Sequence, residues 1–186
     1  MYELLILASL MYGPWHGYLI ARIAHKMIGP WAKISPGTLY PLLARLEQNG
    51  LIETLPLGEG LHAQRQVHRY AITSAGRHRF HTLMMDTSSN VGDYPRIFHL
   101  KVVHLHLLLP TERLYLIDHY INYCERTIFH RRPKGGATPQ KVYASADFFT
   151  ALEDVLHHLI RQEQEELAWA HCVREQAVAA LNTKTP

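Results

Sequence analysis

The chain has 186 residues, of which 47% are hydrophobic and 19% charged, and a formal net charge of +3. That composition suits one large or two small globular domains with a sizeable core and excludes a disordered or fibrous chain. No apolar run of about 18 residues and no basic leader with a cleavage site appear, so no membrane span is expected and the protein is placed in the cytoplasm.

Residues 1–86 hold eight Lys/Arg against five Asp/Glu, while the remainder holds eleven against eleven. The whole basic excess therefore sits in the first half, which supports a polyanionic partner there. In chain order, Tyr2 to Tyr12 is apolar nearly all round, as a short buried helix would be. Gly13-Pro14 breaks it, and His16 to Ile28 reads as a second helix that Gly29-Pro30 ends.

Ser35 to Leu51 is the most informative stretch. Leu39, Leu42, Leu43 and Leu46 fall at i, i+3, i+4 and i+7, one stripe of an amphipathic helix. Ser35 suits the N-cap, Pro36 the first helical position and Gly50 the left-handed stop. The opposite side carries Gly37, Pro41, Ala44 and Gln48, flanked by Thr38, Tyr40 and Arg45. A solvated helix would show Glu and Lys there. A small middle with hydrogen-bonding edges lets the backbone approach a DNA major groove while longer side chains reach base edges. Pro41 is expected to kink the helix.

The period then changes. Leu51 to Leu55 reads as a strand, Gly58-Glu59-Gly60 as a turn and Gln66 to Ile72 as a return strand, so a hairpin wing follows the third helix. Arg65 and Arg69 on this wing are expected to reach phosphates, with His16 or Lys33 fixing register. Thr73 caps a helix to about Met85, and the polar run from Asp86 to Asp93 is the best domain boundary.

Beyond it the pattern is helical: one segment from Pro95 stopped at Pro110, and a second capped by Thr111 and running to about His130. Residues 131–143 contain two prolines, two glycines and four basic residues, a solvated loop. Ser145 to about Leu181 is a long helix whose Phe148, Leu152, Val155, Leu156, Leu159, Leu167 and Val173 form a seam. Glu163 interrupts it. Such a helix is ~50 Å long by its rise, more than one small domain covers, so a second copy of the chain is the expected partner. The fold class is mainly α (α+β). A winged helix-turn-helix DNA-binding domain over residues 1–86 precedes an all-helical dimerisation domain over 93–182.

No enzyme motif or cofactor-binding pattern appears, so neither catalysis nor a cofactor is expected. The 14 histidines invite a metal search. His104 and His106, two apart, should point to different sides of a helix, as should the adjacent His157 and His158. His78 and His81 lack a partnering Cys or carboxylate, and Cys124 and Cys172 match no metal spacing. No metal is expected.

The run Ser35-Pro36-Gly37-Thr38-Leu39-Tyr40-Pro41, continued by Arg45-Leu46-Glu47 and Gly50-Leu51-Ile52, resembles the recognition helix of the PadR family of transcriptional regulators. Gly13-Pro14-Trp15-His16-Gly17-Tyr18 is similar to that family's helix junction, and His68 to Gly76 to the end of its wing. Phe98-His99-Leu100-Lys101 looks like the first C-terminal helix of its longer subfamily. The resemblance implies a homodimeric repressor of a stress or detoxification operon, binding a palindromic operator in double-stranded DNA. It also implies release by a small aromatic acid such as a phenolic acid, with Tyr18 at a position resembling a ligand-contacting tyrosine. Two alternatives are a virulence-type activator and a winged-helix protein-interaction adaptor that does not bind DNA.

Overall fold

Helix α1 (Tyr2–Leu10) lacks a polar side because it has no solvent side: every residue from Leu4 to Leu10 is buried. It is the centre of the first of two compact units, Met1–Leu108 and Leu109–Pro186. The computed structural model describes residues 1–28, 36–55, 68–88, 93–132 and 146–182. Gly13, at φ +127°, turns the chain out of α1 into a conformation that L side chains rarely adopt. A two-residue strand, β1 (Trp15–His16), then precedes α2 (Gly17–Ile28) and α3 (Pro36–Gln48). His16 thus belongs to a strand rather than to the start of the second helix, because two residues are too short to show a period.

Helix α3 closes as its sequence suggests. Gly50 takes φ +68°, and the amides of Gly50 and Leu51 donate to the carbonyls of Glu47 and Leu46 at 2.8 and 2.9 Å. This pair of bonds satisfies carbonyls the helix end would otherwise strand. Pro41 lies within α3, which continues as one helix past it. β2 (Ile52–Leu55) follows and pairs antiparallel with β3 (Arg69–Ile72), Ile52 opposite Ile72 and Leu55 opposite Arg69. β1 pairs with the other edge of β3, Trp15 opposite Tyr70 and His16 opposite Arg69. The sheet order is β1-β3-β2, one strand more than the hairpin expected.

Thr73 caps α4 (Ser74–Met85) by accepting from the Gly76 amide at 3.0 Å, and its hydroxyl donates to the Gly50 carbonyl at 2.6 Å. A Cβ on Gly76 would lie 2.0 Å from the Leu51 carbonyl oxygen, so only glycine lets α4 press this closely on the chain entering β2. Arg79 on α4 grips Glu3 on α1 through two hydrogen bonds of 2.8 and 3.4 Å.

Helix α5 (Tyr94–His104) and the 3-10 turn Leu105–Leu107 belong to this first unit. The expected division, 1–86 against 93–182, placed them with the C-terminal helices; the compact units divide after Leu108 instead. The reason is visible in the contacts. Phe98 and Leu100 are buried, the Phe80 ring meets His104 edge-on at 6.5 Å, and the buried Lys101 donates its ammonium to the Asp86 carbonyl. Burial pushes the Lys101 amine down to about 8, against the opposing pull of the Asp86 carboxylate.

The second unit is a helix pair, α6 (Pro110–Arg131) and α7 (Ala146–Asn182). Pro110 does not stop the preceding element; it opens α6, with Leu109 rather than Thr111 at the N-cap. The Leu109 amide is satisfied by the Glu112 carboxylate at 3.0 Å, while the missing proline N–H costs nothing at a first turn. Three ties fix the helices antiparallel. Arg174 meets Asp118 at 2.6 Å, the Tyr120 hydroxyl donates to Glu166 at 2.9 Å, and Arg131 meets Glu163 at 2.8 Å. Glu163, the break in the apolar seam, is therefore the ion-pair partner of the last turn of α6. Burial, then the Glu166 hydrogen bond, raises the Tyr120 phenol far above its usual value.

Candidate nucleic-acid interface

The two sides of α3 have opposite fates. Leu39, Leu43 and Leu46 are 2%, 0% and 1% exposed, and Leu42 is half-buried. Gly37, Thr38, Tyr40, Pro41, Ala44, Arg45 and Gln48 are all exposed. The apolar stripe is thus used up inside the first unit, and the small, hydrogen-bonding side faces outward. Its middle has no side chain longer than proline, so a groove wall can come close to the backbone. Arg45 supplies a five-donor fork suited to guanine, and Gln48 an amide suited to adenine.

Two contacts hold this surface in place. The Tyr40 ring lies over the first residue of α2: a Cβ on Gly17 would sit 3.2 Å from Tyr40 Cε1 and 3.5 Å from its hydroxyl oxygen. Gly17 therefore lets α3 lie close across the start of α2, the spacing a helix-turn-helix needs. On the other side, the Glu47 carboxylate accepts from the Thr54 amide in β2 at 3.0 Å. That bond ties the last turn of α3 to the first arm of the wing. Glu47 escapes a reading of the groove side because it faces neither the groove nor the core.

The remaining candidate residues divide. Arg69 is exposed on β3, and its Nη2 donates to the Pro14 carbonyl at 3.2 Å, beside the start of β1. His16 is half-buried, and its Nδ1 has no hydrogen-bond partner among the described residues. Lys33, Ser35 and Arg65 lie outside the described residues, as does most of the basic loop at 131–143. Tyr18 is 72% exposed on α2, so its ring is not core packing.

A small cavity of about 200 Å³ opens elsewhere in the first unit, lined by Leu5, Ser9, Tyr12, Trp15, Ile23, Leu100, Val103 and His104. Its walls are apolar and its polar corner is the Tyr12–His104 pair, with the hydroxyl 2.9 Å from His104 Nδ1. Burial, then the neighbouring His106, pushes His104 down to about 4, and burial raises the Tyr12 phenol. Tyr18 is not among the residues lining this cavity. His104 and His106 do not diverge as an unbroken helix would require. The α-helix ends at His104 and a 3-10 turn follows, which brings both rings onto Tyr12 at centroid distances of 5.8 and 6.0 Å.

On the seam of α7, Phe148, Leu152 and Val155 are 54%, 40% and 51% exposed. Leu156, Leu159, Leu167 and Val173 are half-buried, and Ala170 alone is fully buried among the described side chains of the helix. Arg131, the last residue of α6, lies level with Glu163. The first four turns of α7 thus extend beyond the end of α6. Among the described residues no helix is long and apolar enough to cross a membrane.

No curated protein sequence matches the chain. Among solved structures, Bacillus subtilis PadR in complex with operator DNA is similar at 19% identity and a TM-score of 0.40, covering 94% of this chain and 98% of that one. The same protein in complex with p-coumaric acid gives 18%, 0.37, 94% and 97%. The Vibrio cholerae virulence activator AphA gives 18%, 0.38, 97% and 99%. At that level of overlap these likenesses decide nothing about function. The sequence match decides more: residues 6–82, from α1 through the wing into α4, match the transcriptional regulator PadR-like family. Residues 6–82, the winged-helix part of the first unit, thus form a domain of the transcriptional regulator PadR-like family.

Proposed function

We propose that the protein is a homodimeric repressor that inserts α3 into the major groove of a palindromic operator and leaves it when a small aromatic ligand binds. The observation behind this reading is the division of α3, with its leucines inside and Gly37, Thr38, Tyr40, Pro41, Ala44, Arg45 and Gln48 outside. Thr38, Tyr40, Arg45 and Gln48 are the proposed base-reading set, and Arg69, exposed on β3, is the proposed phosphate contact. Lys33, Ser35 and Arg65 join the proposed contact set from their sequence positions. A twofold operator needs two copies. The uncovered Phe148, Leu152 and Val155 beyond the end of α6 supply the surface on which a second chain would close.

The ligand reading rests on the cavity against α1. Apolar walls with one polar corner suit a single aromatic ring bearing a hydroxyl. His104 is neutral at pH 7 and the lining holds no cation, so the phenol end enters and a carboxylate stays toward solvent. Tyr12 and His104 are better placed for this than Tyr18.

An electrophoretic shift with the chain's own promoter region, run at two salt concentrations, tests the core of the proposal. Binding that weakens steeply with salt supports it, since phosphate neutralisation releases counterions. No shift at low salt refutes it and leaves a protein-interaction adaptor. Adding p-coumarate to the bound complex tests release. A promoter–reporter fusion distinguishes a repressor from an activator.

A further inference from the structure

Tyr12 follows α1, whereas His104 and His106 stand 92 and 94 residues later, yet the three side chains meet at one point. His104 Nδ1 is 2.9 Å and His106 Nε2 is 3.3 Å from the Tyr12 hydroxyl oxygen. We propose that Tyr12, His104 and His106 form a binding site for a divalent transition-metal ion of the class imidazole prefers, Zn²⁺ or Cu²⁺.

The geometry supports this in two ways. With metal–ligand bonds of about 2.0–2.1 Å, two donors lie about 2.9 Å apart at a right angle and about 3.3–3.4 Å apart at a tetrahedral one. Both oxygen–nitrogen distances, hydrogen-bond lengths in this structure, fall on those edges. Second, the donors combine a fixed wall with an open door. His104 is 8% exposed and held edge-on by Phe80, while Tyr12 is 48% exposed and His106 lies at the surface. An ion can enter from water, and a water can complete its coordination. Among the described residues no three of His, Cys, Asp and Glu group as ligands, so the site depends on the phenol. The phenol is the missing third donor. Binding exchanges the phenol proton, released to solvent, for the metal–oxygen bond, with no change of oxidation state. Imidazole and phenolate oxygen are ligands that zinc and copper both accept. An occupied site would fasten the end of α5 to the junction that leads into β1.

The test uses the full chain. Calorimetric titration with ZnCl₂ should give one saturable equivalent, and titration with CuCl₂ should give a visible phenolate-to-copper charge-transfer band. His106→Gln, at an exposed ring, should weaken Zn²⁺ binding about tenfold or more. Tyr12→Phe should abolish the copper band while circular dichroism shows an unchanged fold. His78→Gln should leave both signals unchanged. A wild-type chain without a saturable equivalent overturns the proposal. So does binding that survives Tyr12→Phe and His106→Gln undiminished, which would locate the ion at other histidines.

Discussion

Helices α3 and α7 both leave a side uncovered, and the two bare sides are opposites. On α3 the leucines are spent on the core and what faces outward is glycine, proline, alanine and a rim of hydrogen-bonding groups. On α7 the outward side of the first turns is Phe148, Leu152 and Val155. An uncovered apolar side is relieved by more protein, because burying it removes carbon from water. An uncovered small and polar side gains nothing from a protein core and much from a surface rich in donors and acceptors, such as the edges of base pairs. Under the function proposed above, one chain would present one surface for its own kind and another for nucleic acid.

The contrast can be broken from several directions. Gly76→Ala should have the largest effect, costing ~3 kcal/mol or more, because the new Cβ would overlap the Leu51 carbonyl and push α4 off the strand. Denaturant unfolding of the purified variant measures it, and operator binding should fall with the fold. Leu152→Asp should then separate the two surfaces. The chain should remain folded but sediment as a monomer of 21.4 kDa, with operator affinity reduced for want of a paired recognition helix. A variant that stays dimeric would remove α7 from that role.

Arg45→Ala should leave the unfolding midpoint where it was and weaken operator binding by ~1–3 kcal/mol, read by titration of labelled DNA. Lys101 sharpens the contrast from inside the fold. Its amine is held near 8 in the folded chain against 10.5 for a free lysine. Between those values the unfolded chain binds more protons, so stability rises with pH across this window and the penalty is full below it. Lys101→Met should remove this rise, a difference of at most about 3 kcal/mol between wild type and variant followed from pH 7 to 10.5. The smallest effect belongs to Thr73→Ala, about 1 kcal/mol by thermal unfolding, for loss of the cap on α4.

Much of this molecule is legible in the sequence wherever local rules agree with one another. The leucine period, Pro36 at the start and Gly50 at the stop delimit α3 without any tertiary information, and the same holds for the Thr73 cap. The outward side of α3 is legible too, since its composition is wrong both for a core and for a solvated face. What escapes depends on pairing across distance. β1 has two residues and no period, and exists because β3 offers it an open edge. Pro110 reads equally as a stop and as a first turn, and only Glu112 reaching back to the Leu109 amide decides it. The meeting of His104 with His106 is hidden by assuming one helical repeat across a point where the repeat changes. Assigning α5 to the winged-helix unit requires knowing that Phe80, Asp86 and Tyr12 await it.

The bond from Glu47 to the Thr54 amide makes reading head and wing a single mechanical part. If the protein acts as proposed, loosening β2 from α3 would cost this bond, and release from an operator could instead come from a change in the distance or angle between the two reading helices of a dimer. Regulation would then be a matter of stance rather than of grip.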